Sequence, residues 1–513
     1  MIHPKTPIRS PHMIPTDPNT NPNQIHTENP FQPTPPTIPG PIGMPSRTPS
    51  FRREREAPDQ RSLLTLPVLW TVAAVLIFAI FGIQQAPNFI APQPSTPGTA
   101  EEIAPPDMQF ELTAKLVVKM HGDFGSMAGS IGDLEKVARQ RNKNTLAPVD
   151  ALRLATVASQ FGDSTDQYLE LARKSKDSKV LEDADLIEAA ILGKALTPEQ
   201  ADGLKDRHGY FGELATVQPL PKSDPVRKAL TSGGMPIIIF FIAVGVLLLL
   251  VAIASLVCFL YTILNWSRAE RAFRFTPPQP GGGIYLETFV VFLLSFLGML
   301  AISSIAAKFM GPSRAAVLSL VLQWAILLTI FWPLARGLRA KDWRAQVGWH
   351  TGEGVAREIV MGLFGYLAGL PLLAGALIVT LILTLIVQQF LPEGAGANKI
   401  ADLIGAGGPL ELVLLFVLAT VWAPIVEETI FRGGVFRHFR GRLGMVGAAF
   451  FTALLFGVMH GYAFYALAPV ISIGLIFSFI REWRGSIIGP VVAHALHNAT
   501  TLGIVITMFT LLK

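Results

Sequence analysis

PIIIFFIAVGVLLLLVAIASLVCFLYTILN, the stretch from residue 236 to residue 265, contains no charged side chain. As an α-helix rising about 1.5 Å per residue, it is longer than the roughly 30 Å hydrocarbon core of a bilayer. Comparable apolar runs recur along the chain, and we interpret them together as membrane spans: 63–86, 236–265, 284–306, 315–335, 358–389, 410–438, 444–464, 466–481 and 486–511. The sequence therefore predicts an all-α protein, a polytopic bundle of transmembrane helices.

The composition agrees with a membrane protein. Of the 513 residues, 50% are hydrophobic and only 15% are charged, against about 25% charged residues in a typical soluble domain. The chain has a net charge of +5, and its arginines flank apolar runs, which is typical of cytoplasmic loops. We therefore expect no nucleic-acid partner. The single cysteine, Cys258, excludes a disulfide framework and a thiolate metal cluster.

Composition also divides the chain into segments. Residues 1–60 are rich in Pro, Thr, Asn and Ser and cannot bury enough apolar surface to offset the entropy of ordering, so we expect a disordered tail. Because this long polar prefix is unlike a cleaved signal peptide, we interpret 63–86 as a retained transmembrane anchor. Residues 87–234 carry apolar residues at three- and four-residue intervals, which predicts a small soluble helical domain, either an interaction module or a spacer. Transmembrane helices follow over 235–390, and 410–513 forms a C-terminal membrane domain.

Basic residues cluster in alternate connections between the spans. The positive-inside rule places such clusters in the cytoplasm: Arg268, Arg271 and Arg274; Arg336, Arg339, Lys341 and Arg344; Arg437, Arg440 and Arg442; Arg481 and Arg484. The basic residues just before the first span lie on the same side. We therefore expect a multi-pass integral protein of the cell or inner membrane, with a cytoplasmic N-terminus and an extracytoplasmic 87–234 domain.

Three polar clusters stand inside the last apolar runs, where a charge at mid-bilayer costs about 2.5 kcal/mol or more: Glu427-Glu428-x-x-x-Arg432, Phe456-x-x-x-His460 and His494-x-x-x-Asn498. If the helices on both sides of the turn at 441–444 run unbroken, Glu427 and His460 lie at comparable depths of about 22–26 Å, and His494 lies about 14 Å from the same side. A tilted bundle can bring such residues together. A carboxylate, two imidazoles and an amide in one wet cavity can activate a water and stabilise an oxyanion.

Each cluster taken alone also has an ordinary structural explanation. Glu428 and Arg432 have the spacing of an ion pair on one helix face. His460 stands at a plausible helix end, and His494 and Asn498 have the spacing of interhelical hydrogen-bonding residues. The joint occurrence of the clusters in successive apolar segments favours a single functional site.

Two further histidines and a pair of glycines lie near these clusters in the sequence. His438 lies in a basic turn and His497 points away from the His494 face, so we treat both as background. The pair Gly433 and Gly434 has two interpretations: it loosens the helix to admit water, or it lets helices pack closely.

The order and spacing of the clusters resemble the CPBP (Abi) family of intramembrane proteases, which includes the CAAX prenyl proteases. The stretch 427–433 resembles the first family signature, 456–460 the second and 494–498 the third. The likeness covers roughly residues 410–511. By this resemblance Glu427 and His460 would activate the attacking water, while His494 and Asn498 would form the oxyanion hole or help to hold a metal.

The same resemblance implies that Glu428 and Arg432 form a supporting pair that shapes the cavity floor. It leaves the metal open. Two histidines and a carboxylate, here His460, His494 and Glu427, are a set that binds zinc, but the chain has no His-Glu-x-x-His motif.

The function expected from these features is that of an intramembrane endopeptidase acting on a membrane-associated protein or a lipidated peptide. Its substrate is either a CAAX-like prenylated tail or an unmodified membrane peptide, and its other partner is membrane lipid. A non-catalytic immunity or scaffold protein that keeps the fold is the alternative. A proton-coupled transporter is disfavoured because the chain shows no repeated half-domains.

Overall fold

The computed structural model describes residues 55–89, 103, 106–125, 130–140, 145–387, 404 and 408–512. Apart from one isolated bridge between Glu56 and Pro278, the regular structure within these ranges is helical. This confirms the predicted all-α class. The predicted disordered tail falls almost entirely outside the described residues.

The helices follow one another along the chain as α1 (Leu66–Phe89), α2 (Met108–Phe124), α3 (Ile131–Gln140), α4 (Pro148–Phe161), α5 (Asp166–Ala172), α6 (Ser178–Ile191), α7 (Pro198–His208), α8 (Tyr210–Thr216), α9 (Pro225–Thr231), α10 (Gly234–Leu264), α11 (Trp266–Arg271), α12 (Ile284–Met310), α13 (Pro312–Ile326), α14 (Trp332–Ala335), α15 (Ala340–Val347), α16 (Val355–Val387), α17 (Pro409–Val417), α18 (Ala423–Glu428), α19 (Phe436–Arg440), α20 (Met445–Val458), α21 (Ala468–Arg484) and α22 (Ile488–Leu512). Leu327–Phe331 and Phe464–Ala466 form 3₁₀ turns, and Leu418–Trp422 and Thr429–Val435 are π-helical.

In the described part of the chain, seven helical stretches are long and apolar enough to cross a bilayer: Leu66–Gln85, Pro225–Leu264, Ile284–Met310, Arg314–Ala335, Val355–Val387, Pro409–Arg440 and Ile488–Leu512. Their apolar side chains are largely exposed on the outside of the bundle, as expected where lipid buries them. The protein is therefore an integral membrane protein.

Two of the predicted spans have different bounds in the structure. The run 444–464 corresponds to α20, which has 14 residues, and the run 466–481 corresponds to α21, which has 17. Both fall below the roughly 20 residues that a crossing helix needs. The cause is the connection between them, where Gly461 has φ +69°, a left-handed conformation that ends helical hydrogen bonding.

Helices α2–α9 lie within the predicted soluble segment and share a core of buried apolar side chains, among them Phe110, Leu152 and Phe211. Asp183 is also fully buried there. Its carboxylate accepts a hydrogen bond of 2.7 Å from Arg207 Nε and lies 3.0 Å from His208 Nε2. The placement of this segment on the extracytoplasmic side remains a prediction.

The basic connections meet at one end of the bundle. Arg437 binds Asp59, which precedes α1, and Arg440 binds Glu482 at the end of α21. Arg484 binds Glu358 at the start of α16. These contacts place the basic loops that they join on a common side, as the charge pattern indicated. The assignment of that side to the cytoplasm remains a prediction.

Candidate active site

The segment 409–440, which carries the first polar cluster, is not one uniform α-helix. Pro424 lacks a backbone N–H, so it cannot donate to a carbonyl in the preceding turn. The helix widens there into the π-helical stretch Leu418–Trp422, and it widens again over Thr429–Val435. The depths estimated for unbroken helices therefore do not apply to this segment. Widened turns of this type occur frequently at functional sites.

Glu428 and Arg432 form a fully buried ion pair. Arg432 Nη1 donates to Glu428 Oε1 at 2.9 Å, and neither side chain has exposed surface. Arg432 Nη2 donates to the carbonyl of Gly474 on α21 at 3.0 Å. Its guanidinium carbon also lies 4.3 Å from the centre of the Phe456 ring. These contacts neutralise and hydrogen-bond the carboxylate, which a charge inside a membrane bundle requires.

The same carboxylate holds a histidine from another helix. His494 Nδ1 lies 2.9 Å from Glu428 Oε1. Since that oxygen already accepts from Arg432, we assign the shared proton to His494 Nδ1, which donates to Glu428. The other ring nitrogen of His494 then points toward Glu427, 4.0 Å from its Oε2.

Glu427 Oε2 lies between the two histidines. It is 3.8 Å from His460 Nε2 and 4.0 Å from His494 Nε2. This oxygen is buried and has no hydrogen-bond partner among the described residues. Gaps of this length are too long for direct hydrogen bonds and suit an intervening water.

His460 is oriented by its own backbone. It follows the end of α20, and its Nδ1 donates to the carbonyl of Phe456 at 2.7 Å. This bond leaves Nε2 as the proton-accepting nitrogen, facing Glu427. The side chain of His460 is 28% exposed and that of Glu427 is 19% exposed, so the centre is accessible from this side.

Asn498 binds a backbone carbonyl, whereas the other predicted residues contact one another. Its Nδ2 donates at 2.8 Å to the carbonyl of Ala419, in the first π-helical stretch. The residue five positions after Ala419 is Pro424, so that carbonyl receives no N–H from its own helix in π geometry. The Asn498 amide therefore joins α22 to the widened turn. Its predicted role in an oxyanion hole remains a prediction.

The structure thus brings together Glu427, Glu428, Arg432, His460 and His494, with Asn498 one turn further along α22. Background residues lie elsewhere: Tyr366 Oη is 2.9 Å from His497 Nδ1, and His438 contacts Trp70. A Cβ at Gly433 would lie 2.9 Å from Val347 Cβ. That distance favours close packing over the admission of water at this glycine.

Sequence reasoning missed two residues of α21 that complete the site. Gly474 supplies the carbonyl that binds Arg432. Phe477 is fully buried and its ring stacks on His494, with centroids 5.2 Å apart. A glycine and a phenylalanine in an apolar helix carry no local signal of such contacts. The missing N–H of Pro424, in contrast, was visible in the sequence.

The predicted metal ligands have the donor types that zinc takes, one carboxylate and two imidazoles. Among the described residues, however, no group of three or more His, Cys, Asp or Glu has the arrangement of a metal site. The reaction proposed for this site does not depend on a bound ion. Zinc remains an untested prediction.

Fold and site together define a helical integral membrane protein with a buried carboxylate–histidine centre. Residues 409–500 match the family model described as type II CAAX prenyl endopeptidase Rce1-like. This match contains every predicted site residue and confirms, for that segment, the resemblance to the CPBP family.

A curated relative is also similar to this chain. It is an uncharacterized 24.3 kDa protein of Escherichia coli, 34% identical over 148 residues, which are 26% of this chain and 63% of the relative. The chain therefore spans less than two thirds of that relative's length. No solved structure matches the chain.

Proposed function

We propose that this protein is an intramembrane endopeptidase that hydrolyses a peptide bond of a membrane-associated protein or lipidated peptide. The observation that carries the proposal is the buried Glu427 Oε2, which lies within 4.0 Å of Nε2 of both His460 and His494 and lacks a partner among the described residues. The Rce1-like match over residues 409–500 supports the same chemistry.

In the proposed reaction, a water between Glu427 and His460 attacks the carbonyl carbon of the scissile bond. Glu427 accepts a proton from the water as the oxygen–carbon bond forms, and the carbonyl oxygen becomes an oxyanion. His494, protonated on both nitrogens, donates from Nε2 to that oxyanion. When the carbon–nitrogen bond breaks, the proton held by Glu427 passes to the leaving amine.

The remaining residues act by position. Glu428 accepts from His494 Nδ1 and orients its ring, while Arg432 neutralises Glu428 in turn. Asn498 keeps α22 against the widened turn and has a second amide hydrogen available for the oxyanion. We place the basic end of the bundle in the cytoplasm, by the positive-inside rule.

The test is cleavage of quenched peptides, prenylated and plain, by the purified full-length protein in detergent. We expect Glu427→Gln and His460→Ala to abolish cleavage while the protein remains folded in a thermal melt. Glu411→Gln is the matched control, because it makes the same chemical change in the first turn of α17, outside the site.

The same assay separates the alternatives. Cleavage that survives both substitutions would show that the site is wrong. No cleavage of any peptide by a folded wild-type protein would favour the non-catalytic scaffold. Cleavage measured with and without a chelator tests whether the activity depends on a metal. Comparison of the prenylated with the plain peptides tests the substrate class.

A further inference from the structure

Helix α1 is bound into the bundle along one face. Leu69, Ala73, Leu76 and Ile80 are all buried, and their spacing of four, three and four residues is that of a stripe on a helix that packs against other helices. These residues belong to the same core cluster as Phe431 and Phe456 of the site region. The anchor predicted from the sequence is therefore also a packing element of the membrane domain.

The stripe ends in two consecutive glutamines. Gln84 follows Ile80 by one helical turn, and Gln85 is 4% exposed. Apolar side chains would fill this end of the stripe at a lower desolvation cost, since a buried amide must find partners. The Oε1 atom of Gln84 has none among the described residues, so packing alone does not explain a glutamine there.

Both glutamines donate to the turn that carries His460. Gln84 Nε2 donates to the carbonyl of Met459 at 3.3 Å, and Gln85 Nε2 donates to the carbonyl of Tyr462 at 2.7 Å. The two accepting carbonyls lie on either side of His460 in the chain. The Tyr462 ring lies parallel to that of His460, with centroids 6.4 Å apart and an interplanar angle of 9°.

The turn that carries His460 passes close to α1 at Gly461, where there is no room for a side chain. Gly461 has φ +69°, and an added Cβ would lie 2.9 Å from Gln84 Cδ. The close approach of α1 thus depends on a glycine directly after the histidine. At its other end, α1 follows Asp59, which is paired with Arg437, in the helical segment that carries Glu427.

We infer that Gln84 and Gln85 are positioning residues that hold the His460 turn in its reactive geometry, so that the N-terminal helix completes a site whose other residues all lie in 409–500. The inference rests on the proposed function for its catalytic consequence. The position of His460 Nε2 relative to Glu427 decides whether one water bridges them, and misplacements of about 1 Å can cost a factor on the order of a hundred in rate.

The test uses the full-length protein with Gln84→Met, Gln85→Met and the double substitution, because methionine matches glutamine in length and lacks the amide. Leu76→Ala is the matched control, since it loosens α1 within the same stripe without contacting the turn. Two quantities are measured: amide hydrogen exchange of residues 456–467, and kcat, KM and the pH profile of cleavage.

For the double variant we expect faster exchange in 456–467, a kcat lower by about ten- to a hundredfold, an unchanged KM and a displaced pH profile. Leu76→Ala is expected to lower thermal stability while leaving the pH profile as in the wild type. The inference would be overturned if amide exchange in 456–467 is unchanged in the double variant. It would also be overturned if Leu76→Ala loses as much kcat as the double variant while the two proteins have the same thermal stability. If the wild type cleaves nothing, the proposed function fails, and the exchange data still decide whether the glutamines hold the turn.

Discussion

His494 Nδ1 and Glu428 Oε1 lie 2.9 Å apart although the two residues are separated by 66 positions in the chain. The contact fixes which nitrogen of His494 faces Glu427. It also places Glu428, which could have been an ordinary partner of Arg432 on its own helix, between Arg432 and His494 in the candidate site. A carboxylate that orients a histidine in this way recurs in hydrolytic sites.

Replacement of Glu428 by glutamine tests this orientation. The glutamine amide replaces the charge-assisted hydrogen bond between His494 Nδ1 and Glu428 with a weaker, neutral one, so the imidazole is held less firmly in the orientation that turns Nε2 toward Glu427. We expect Glu428→Gln to lower kcat by a factor on the order of a hundred or more, measured with the quenched-peptide assay. Glu411→Gln should retain wild-type kcat. A Glu428→Gln protein with unchanged kcat would contradict the assigned role.

Arg432 should matter for stability as well as activity. Removing its charge leaves Glu428 buried without its cation, for which about 3–5 kcal/mol is typical. We expect Arg432→Met to lower the free energy of unfolding by that amount, measured by denaturant unfolding in detergent. Adding Glu428→Gln to Arg432→Met should restore part of the loss, because no unpaired charge then remains. A double variant no more stable than Arg432→Met would argue against the pair.

Asn498 is expected to contribute through its bond to Ala419. Asn498→Ala leaves that carbonyl without its donor, which should lower the free energy of unfolding by about 1–3 kcal/mol. Thr501, one turn away and exposed, provides the control substitution Thr501→Ala, for which we expect little change. A loss of kcat in Asn498→Ala without any loss of stability would instead assign the side chain to the oxyanion alone.

The helical unit α2–α9 should lose stability in mild acid. Burial lowers the pKa of His208, although its contact with Asp183 acts in the opposite direction. Burial also opposes ionisation of Asp183, but hydrogen bonds from His208 and Arg207 outweigh it and lower that pKa. Both groups bind fewer protons when folded than when unfolded. The contribution of His208 is complete above the ordinary histidine pKa of about 6.5 and is lost as the pH falls below it, whereas the contribution of Asp183 is lost only below the ordinary aspartate pKa of about 3.9.

Pulse proteolysis of the full-length protein in urea, at pH 7.5 and pH 5.0, measures this effect through cleavage within 145–231. We expect the midpoint to fall at the lower pH. His208→Gln keeps a hydrogen-bond donor but does not titrate, so it should reduce the difference between the two pH values. If the midpoint of His208→Gln falls between pH 7.5 and pH 5.0 by as much as that of the wild type, groups other than His208 are responsible.

The amino-acid sequence by itself determined the class of fold and singled out the clusters of the candidate site. A span of about 20 apolar residues is a local property, and lipid buries it whatever its neighbours are; the helices from Ile284 and from Ile488 were therefore predictable. Ionisable residues such as Glu427 and His460 stand out because their cost in an apolar run is also local.

The tertiary structure alone decided how these parts meet. Pro424 removes one hydrogen bond, but only the packed bundle shows that Asn498 supplies the missing donor. Gly474 and Phe477 contact the site from α21, and Gln85 reaches the His460 turn from a helix 377 positions away. Such contacts join distant segments through shape and unsatisfied hydrogen-bonding groups, which no local pattern specifies. The arrangement of the candidate site therefore emerges only when the helices pack.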